Sequence, residues 1–169
     1  ELRPEFADAW SNLAGALIDL DRVEEAVEAG RRATRLAPQS AAAHWNCGLA
    51  FGAAQRMTAS IASLRRAVAL EPANALARWN LALALLAAGQ WREGWSEWEW
   101  RFAAGRSRPL PAGAPLLRSS DAAGSVAVYS EQGLGDTLQF LRYAWALERA
   151  GARVDLAVPE PVARLLELG

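Results

Sequence analysis

The residues of this 169-residue chain best placed to do chemistry are E-Q-G-L-G-D, Glu131 to Asp136. Gly133 and Gly135 permit a sharp turn out of a strand into a helix. The amides of Asp136, Thr137 and Leu138 at that helix start would then face an anion such as the pyrophosphate of a nucleotide sugar. Two phosphate-binding motifs fail on composition and spacing. A P-loop needs G-K-[ST] and the chain contains no Lys, while a dinucleotide fingerprint needs a third glycine where Leu138 stands. Asp136 could also serve simply as the helix N-cap. Elsewhere the repertoire is thin. Cys47 and His44 are the single cysteine and histidine, which excludes Cys-His and Ser-His-Asp catalysis, an internal disulfide, thiolate metal clusters and most zinc sites. No metal and no cofactor is expected.

The elements that must hold this loop are short. Ser125–Ser130 (S-V-A-V-Y-S) has the composition of a buried strand, and Thr137–Ala150 that of an amphipathic helix. Ala152–Val158 is a second strand, and another helix begins at Pro161. Strand, glycine loop, helix, strand predicts a βαβ unit over 125–169, preceded by a Pro-, Gly- and Ser-bearing linker at 103–124.

Upstream the chain is periodic. Asn12, Asn46 and Asn80 fall 34 residues apart, as do Leu13, Cys47 and Leu81 and the small residues Ala14, Gly48 and Ala82. Rows 7–40, 41–74 and 75–102 each hold two helical patterns split by a turn, at Asp19–Arg22, Ala54–Met57 and Gly89–Gln90; residues 1–6 look like the remnant of an earlier row. Small residues face each other within a row (Ala14 with Ala26, Gly48 with Ser60, Ala82 with Gly94), and Leu17, Phe51 and Leu85 fill between them. Pro38 and Pro72 end the second helices because proline lacks the amide that a continuing helix needs. One hairpin cannot bury its apolar faces alone, but stacked neighbours can.

With its W-x-x-L opening and closing proline, the 34-residue row resembles the tetratricopeptide repeat. That resemblance implies a mainly α fold, an α-solenoid of three helical hairpins over residues 1–102. The first helix of each hairpin would line a concave groove with Asp8, Ser11, Asn12 and Gly15, then Trp45, Asn46 and Leu49, then Trp79, Asn80, Leu83 and Leu86. The groove is expected to hold a protein or peptide. Asn12, Asn46 and Asn80 could grip a peptide backbone, resembling the asparagine ladder of O-linked N-acetylglucosamine transferases, or could tie neighbouring helices together. Trp45 and Trp79 could stack on ligand groups or fill the core. The positions where relatives grip a C-terminal carboxylate with Lys and Arg carry Asp8, Ala42, Trp45, Leu76 and Trp79 here, so a chaperone-tail clamp is not expected.

Residues 91–102 form a helix whose Trp91, Trp95, Trp98 and Phe102 make one apolar stripe, with Trp100 off it. The stripe is either a partner's hot spot or the seam with the following segment, and the segment's composition favours the seam. The succession from Gly89–Arg101 through the linker to E-Q-G-L-G-D-T-L-Q-F-x-R-Y resembles a bacterial family in which such repeats precede a GT-B glycosyltransferase-like domain related to heptosyltransferases. The resemblance implies that 125–169 begins a Rossmann-like GT-B half, in which Gly135 and Asp136 match a family Gly-Asp pair. Asp136 becomes the candidate base, with Glu131, Gln132, Gly133, Gly135 and Thr137 around the nucleotide sugar or acceptor. A GT-B enzyme closes two such halves around its donor, so the chain is expected to be a fragment inactive by itself, whose parent transfers a sugar. The competing reading is a non-catalytic adaptor binding peptide segments of partner proteins.

Composition limits the partners. Hydrophobic residues make up 52% and charged residues 22%, with 18 basic against 19 acidic residues and a net charge of -1. There is no basic footprint for nucleic acid and no apolar stretch long enough to span a bilayer. A cytoplasmic location is the expectation.

Overall fold

The computed structural model describes residues 6–107, 124–130 and 133–167. They divide into two compact units, the first ending at Ser107 in the sequence and the second following it.

The first unit is three helical hairpins. The first pairs α1 (Ala7–Asp19) with α2 (Val23–Leu36), the second α3 (Ala41–Ala53) with α4 (Met57–Leu70), and the third α5 (Ala75–Ala87) with α6 (Trp91–Trp98). Where the sequence suggests one helix over 91–102, α6 stops at Trp98 and a 3-10 turn follows at Glu99–Arg101. Each hairpin turn places one residue in the left-handed region, at Asp21, Gln55 and Gly89, again 34 apart. The amides that follow close the helix ends, Arg22 on the Leu17 carbonyl and Arg56 on Phe51 (2.8 and 2.9 Å). Beyond each proline a polar side chain starts the next first helix. Ser40 accepts from the Ala43 amide at 3.2 Å and Asn74 from Ala77 at 3.0 Å.

The core runs through the seams between hairpins. One cluster joins Ala14, Leu17, Ala26 and Val27 to Cys47, Ala50 and Phe51, and the next joins Ile61 and Leu64 to Leu81, Ala84 and Leu85. The paired small residues do what the sequence requires of them. Ser60 donates to the Gly48 carbonyl at 2.8 Å, and a Cβ on Gly48 or Gly94 would lie 2.6 or 2.7 Å from Leu64 or Leu86. Gly30 is a close approach that the pairing rule does not include. A Cβ there would lie 2.8 Å from the Cys47 Cα on the neighbouring hairpin.

In the second unit β1 (Ser125–Tyr129) and β2 (Arg153–Ala157) pair in parallel, Val126 opposite Val154, with α7 (Leu134–Arg149) between them in the chain and α8 (Glu160–Glu167) after. Leu141 and Ala144 are the buried residues of α7, while Phe140, Tyr143 and Trp145 stay exposed. Two short strands give this α/β segment only the outline of the Rossmann-like half expected from sequence.

Candidate functional site

Positions equivalent by the 34-residue period reveal how the groove is built. Ser11, Trp45 and Trp79 occupy one such position. Ser11 is buried and donates to the Ala42 carbonyl at 3.4 Å. Trp45 packs on the Ile61–Leu85 cluster with its indole nitrogen buried and unpaired among the described residues. Trp79 is half-buried, with the Arg106 guanidinium 5.0 Å above its ring. The expectation that Ser11 faces the groove is thus corrected, because in the first hairpin this position points at the next first helix, α3.

The size of the residue at this seam sets the spacing. Small Ser11 lets α1 and α3 lie in contact, whereas Trp45 stands between α3 and α5, which barely touch. The gap becomes a cleft of about 290 Å³ on the groove side. It is lined by Gly48, Leu49, Gly52, Asn80, Leu83 and Ala84, with Met57 and Ser60 at its base.

The three asparagines differ. Asn12 is exposed. Asn46 donates to the Ser11 hydroxyl at 2.8 Å and so ties α3 to α1. Asn80 donates to the Leu76 carbonyl of its own helix at 2.8 Å and lines the cleft. Bond donation fixes both amides of this pair and leaves their Oδ1 atoms without a protein donor among the described residues, free to accept from a ligand.

Charge is nearly absent here. The first helices hold two basic groups, and both are engaged: His44 contacts the Pro38 carbonyl at 3.0 Å, while Arg78 donates to Pro72 at 2.6 Å and grips both Glu97 oxygens. Cys47 is buried, and burial pushes its thiol up, so it stays protonated and unreactive.

In the second unit α7 starts earlier than expected, with Gly133 as N-cap. The Thr137 amide is consequently consumed in the helix, bonded to the Gly133 carbonyl at 3.0 Å. The Thr137 hydroxyl bonds the same carbonyl and lies 2.6 Å from Ser130 Oγ. The open first-turn amides are therefore those of Leu134, Gly135 and Asp136, in place of Asp136, Thr137 and Leu138. Asp136 lies in the first turn, exposed, and is not the cap. Glu131 and Gln132 lie outside the described residues. Among the described residues no group of three His, Cys, Asp or Glu could hold a metal ion, and no helix is long and apolar enough to cross a membrane.

Comparison with solved structures gives the same helical architecture. MamA matches with a TM-score of 0.55 and 21% identity, over 62% of this chain and 61% of that one. A MamA fragment from Desulfovibrio magneticus RS-1, residues 41 to the end, matches with a TM-score of 0.55 and 19% identity, over 62% and 59%. The chain thus spans about three fifths of the MamA structures. The second TPR of Spaghetti (RPAP3), bound to the HSP90 peptide SRMEEVD, matches with a TM-score of 0.54 and 16% identity, over 57% of this chain and 90% of that one. Among curated proteins no sequence matches. The model of the tetratricopeptide repeat matches residues 1–41 and 42–94, more than half of the chain. With its hairpins, turns and seams recurring in that register, the chain belongs to the tetratricopeptide repeat family.

Proposed function

We propose that this chain is an adaptor that holds an extended segment of a partner protein along its concave face, an uncharged aliphatic side chain entering the cleft between α3 and α5. The observation that carries this reading is the cleft itself. Its walls are small and apolar, its one amide side chain is Asn80, and no charged side chain lines it. An apolar side chain gains about 25 cal/mol per Å² on leaving water there, whereas a charged one would lose its hydration without a partner. Asn80 Oδ1 is left to accept a backbone amide, a contact indifferent to the peptide's sequence. The peptide-bound domain of RPAP3 takes a ligand with two glutamates and a terminal aspartate. Both basic groups on the first helices of this chain are engaged, so such a ligand is not its match. Selection from a random peptide library tests the reading. Recovered peptides should share an aliphatic residue, and Leu83→Arg should weaken them at least tenfold. Acidic peptides that bind regardless of Leu83→Arg would overturn it.

A second reading, that the parent protein transfers a sugar from a nucleotide donor through a GT-B unit, draws on the parallel β1–α7–β2 arrangement and on the exposed carboxylate of Asp136 beside the α7 N-terminus. The family match ends at residue 94 and lends it nothing, so the adaptor reading stands first. In the longest natural form of the protein, Asp136→Ala should abolish transfer with the fold intact; unchanged transfer would remove Asp136 from the chemistry.

A further inference from the structure

The seam between α1 and α3 and the seam between α3 and α5 are the same construction one repeat apart, and the cleft lies at the second. Two residue exchanges separate them. At the first seam Ser11 is 3% exposed; its hydroxyl donates to the Ala42 carbonyl at 3.4 Å and accepts from Asn46 Nδ2 at 2.8 Å. Two hydrogen bonds thus hold α1 against α3, and Gly30 brings α2 onto the Cys47 backbone. At the second seam Trp45 stands in the place of Ser11, and Leu64 packs with Leu81 where Gly30 meets Cys47. A close-packed interior cannot absorb an added indole and an added isobutyl group without moving its helices apart. In consequence α3 and α5 barely touch, and Leu49 and Leu83 flank open space. The exchange also acts on Asn80. Its counterpart Asn46 donates across the seam to Ser11, but Asn80 has an indole opposite in place of a hydroxyl. It donates to the Leu76 carbonyl of its own helix instead, and so stays on the wall of the cleft without bridging it.

We propose that Trp45 determines the specificity of this groove as a positioning residue: its bulk sets the width of the cleft, and the width sets the size of the side chain that the cleft accepts. Ser11 at the equivalent place keeps the preceding seam shut, so a peptide is anchored at one side chain. The proposal rests on the adaptor reading, since it takes the ligand to be an apolar side chain. Width becomes selectivity through contact. A side chain that fills the space between two walls leaves water on both sides, and one that meets a closed seam stays solvated whatever its size.

Two measurements test this. The first needs no ligand. Nitroxide labels on Ala42→Cys and Leu76→Cys report the α3–α5 separation, and labels on Asp8→Cys and Ala42→Cys report the α1–α3 separation; Cys47, 2% exposed, stays unlabelled. The α3–α5 pair should be the wider, and Trp45→Ser should shorten it toward the other. Equal separations in the unaltered protein, or an α3–α5 separation indifferent to Trp45→Ser, would overturn the role of Trp45. The second measurement titrates one library-selected peptide whose anchor is Leu, Val or Ala. In the unaltered protein the Leu form should bind about tenfold or more tighter than the Ala form, as burial of three further carbon atoms requires. Trp45→Ser should bring that ratio close to one, and Trp45→Phe should leave it between the two values. Affinities that all fall together with the ratio unchanged would show a merely structural residue and overturn the proposal. Circular dichroism checks folding; should Trp45→Ser fail to fold, Trp45→Phe decides both measurements. A library that yields no aliphatic peptide would sink the adaptor reading and this ligand with it, whereas unchanged separations would sink the role of Trp45 alone.

Discussion

Alanine at Gly30 and alanine at Gly15 are the same chemical change in two helices of one hairpin, yet they should move stability in opposite directions. At Gly15 a Cβ meets nothing within 4 Å. Relieving the backbone entropy of a mid-helix glycine should therefore stabilise the hairpin by about 0.8–1 kcal/mol. At Gly30 the Cβ would lie 2.8 Å from the Cys47 Cα and 3.2 Å from its Cβ. The obstruction is backbone, so a whole helix must retreat. Overpacking of this kind costs about 1–3 kcal/mol, which offsets the same propensity gain and leaves a net loss of up to about 2 kcal/mol. For a unit of this size 1 kcal/mol moves Tm by roughly 4–8 °C. Thermal unfolding followed by circular dichroism at 222 nm should then show Gly15→Ala raising Tm and Gly30→Ala lowering it, by up to roughly 16 °C. If Gly30→Ala raises Tm as Gly15→Ala does, α2 and α3 do not touch as described, and the stacking argument fails with them.

The remaining expectations concern the seams, turns and thiol. Leu64→Ala, at a side chain 1% exposed between two hairpins, should cost about 2–5 kcal/mol in denaturant unfolding. Gln55→Gly should raise stability slightly, by up to about 1 kcal/mol, because Gln55 holds a φ of 57° that glycine adopts without strain; a clear fall in unfolding free energy would refute the turn geometry. Cys47 should resist alkylation until the protein unfolds. Its thiol is raised by burial, so its contribution to stability is complete below the unfolded thiol's value and is lost as the pH rises from there toward the folded one. An unfolding midpoint for Cys47→Ser that shows the same alkaline decline would refute that assignment.

The repeat was legible because a period repeats every local preference at once. Asn12, Asn46 and Asn80, the small-residue pairs and the closing prolines all agreed, and each agreement reinforced the others. The left-handed turn was legible only at Gly89, since Asp21 and Gln55 hide the same backbone under ordinary side chains; aligning them with Gly89 supplies the signal. The groove was partly legible. Asn80, Leu49 and Leu83 do line the cleft. Helical spacing alone cannot separate the position that faces the groove from its neighbour that faces the next helix, and so Ser11 and Trp45 turned out to be seam residues. The cleft itself depends on two helices held apart by Trp45, a property of a pair of rows that no single row displays. At the glycine loop, Gly133 was available as a cap three residues before Asp136, and helix propagation from it consumed an amide expected to be open.

The most direct test of the groove is a map of amide chemical shifts on titration with a selected aliphatic peptide. The shifts should centre on Gly48, Gly52, Asn80 and Leu83 and leave the second helices α2 and α4 quiet on their outward faces. Shifts concentrated on those outward faces, with the four cleft amides unmoved, would contradict it.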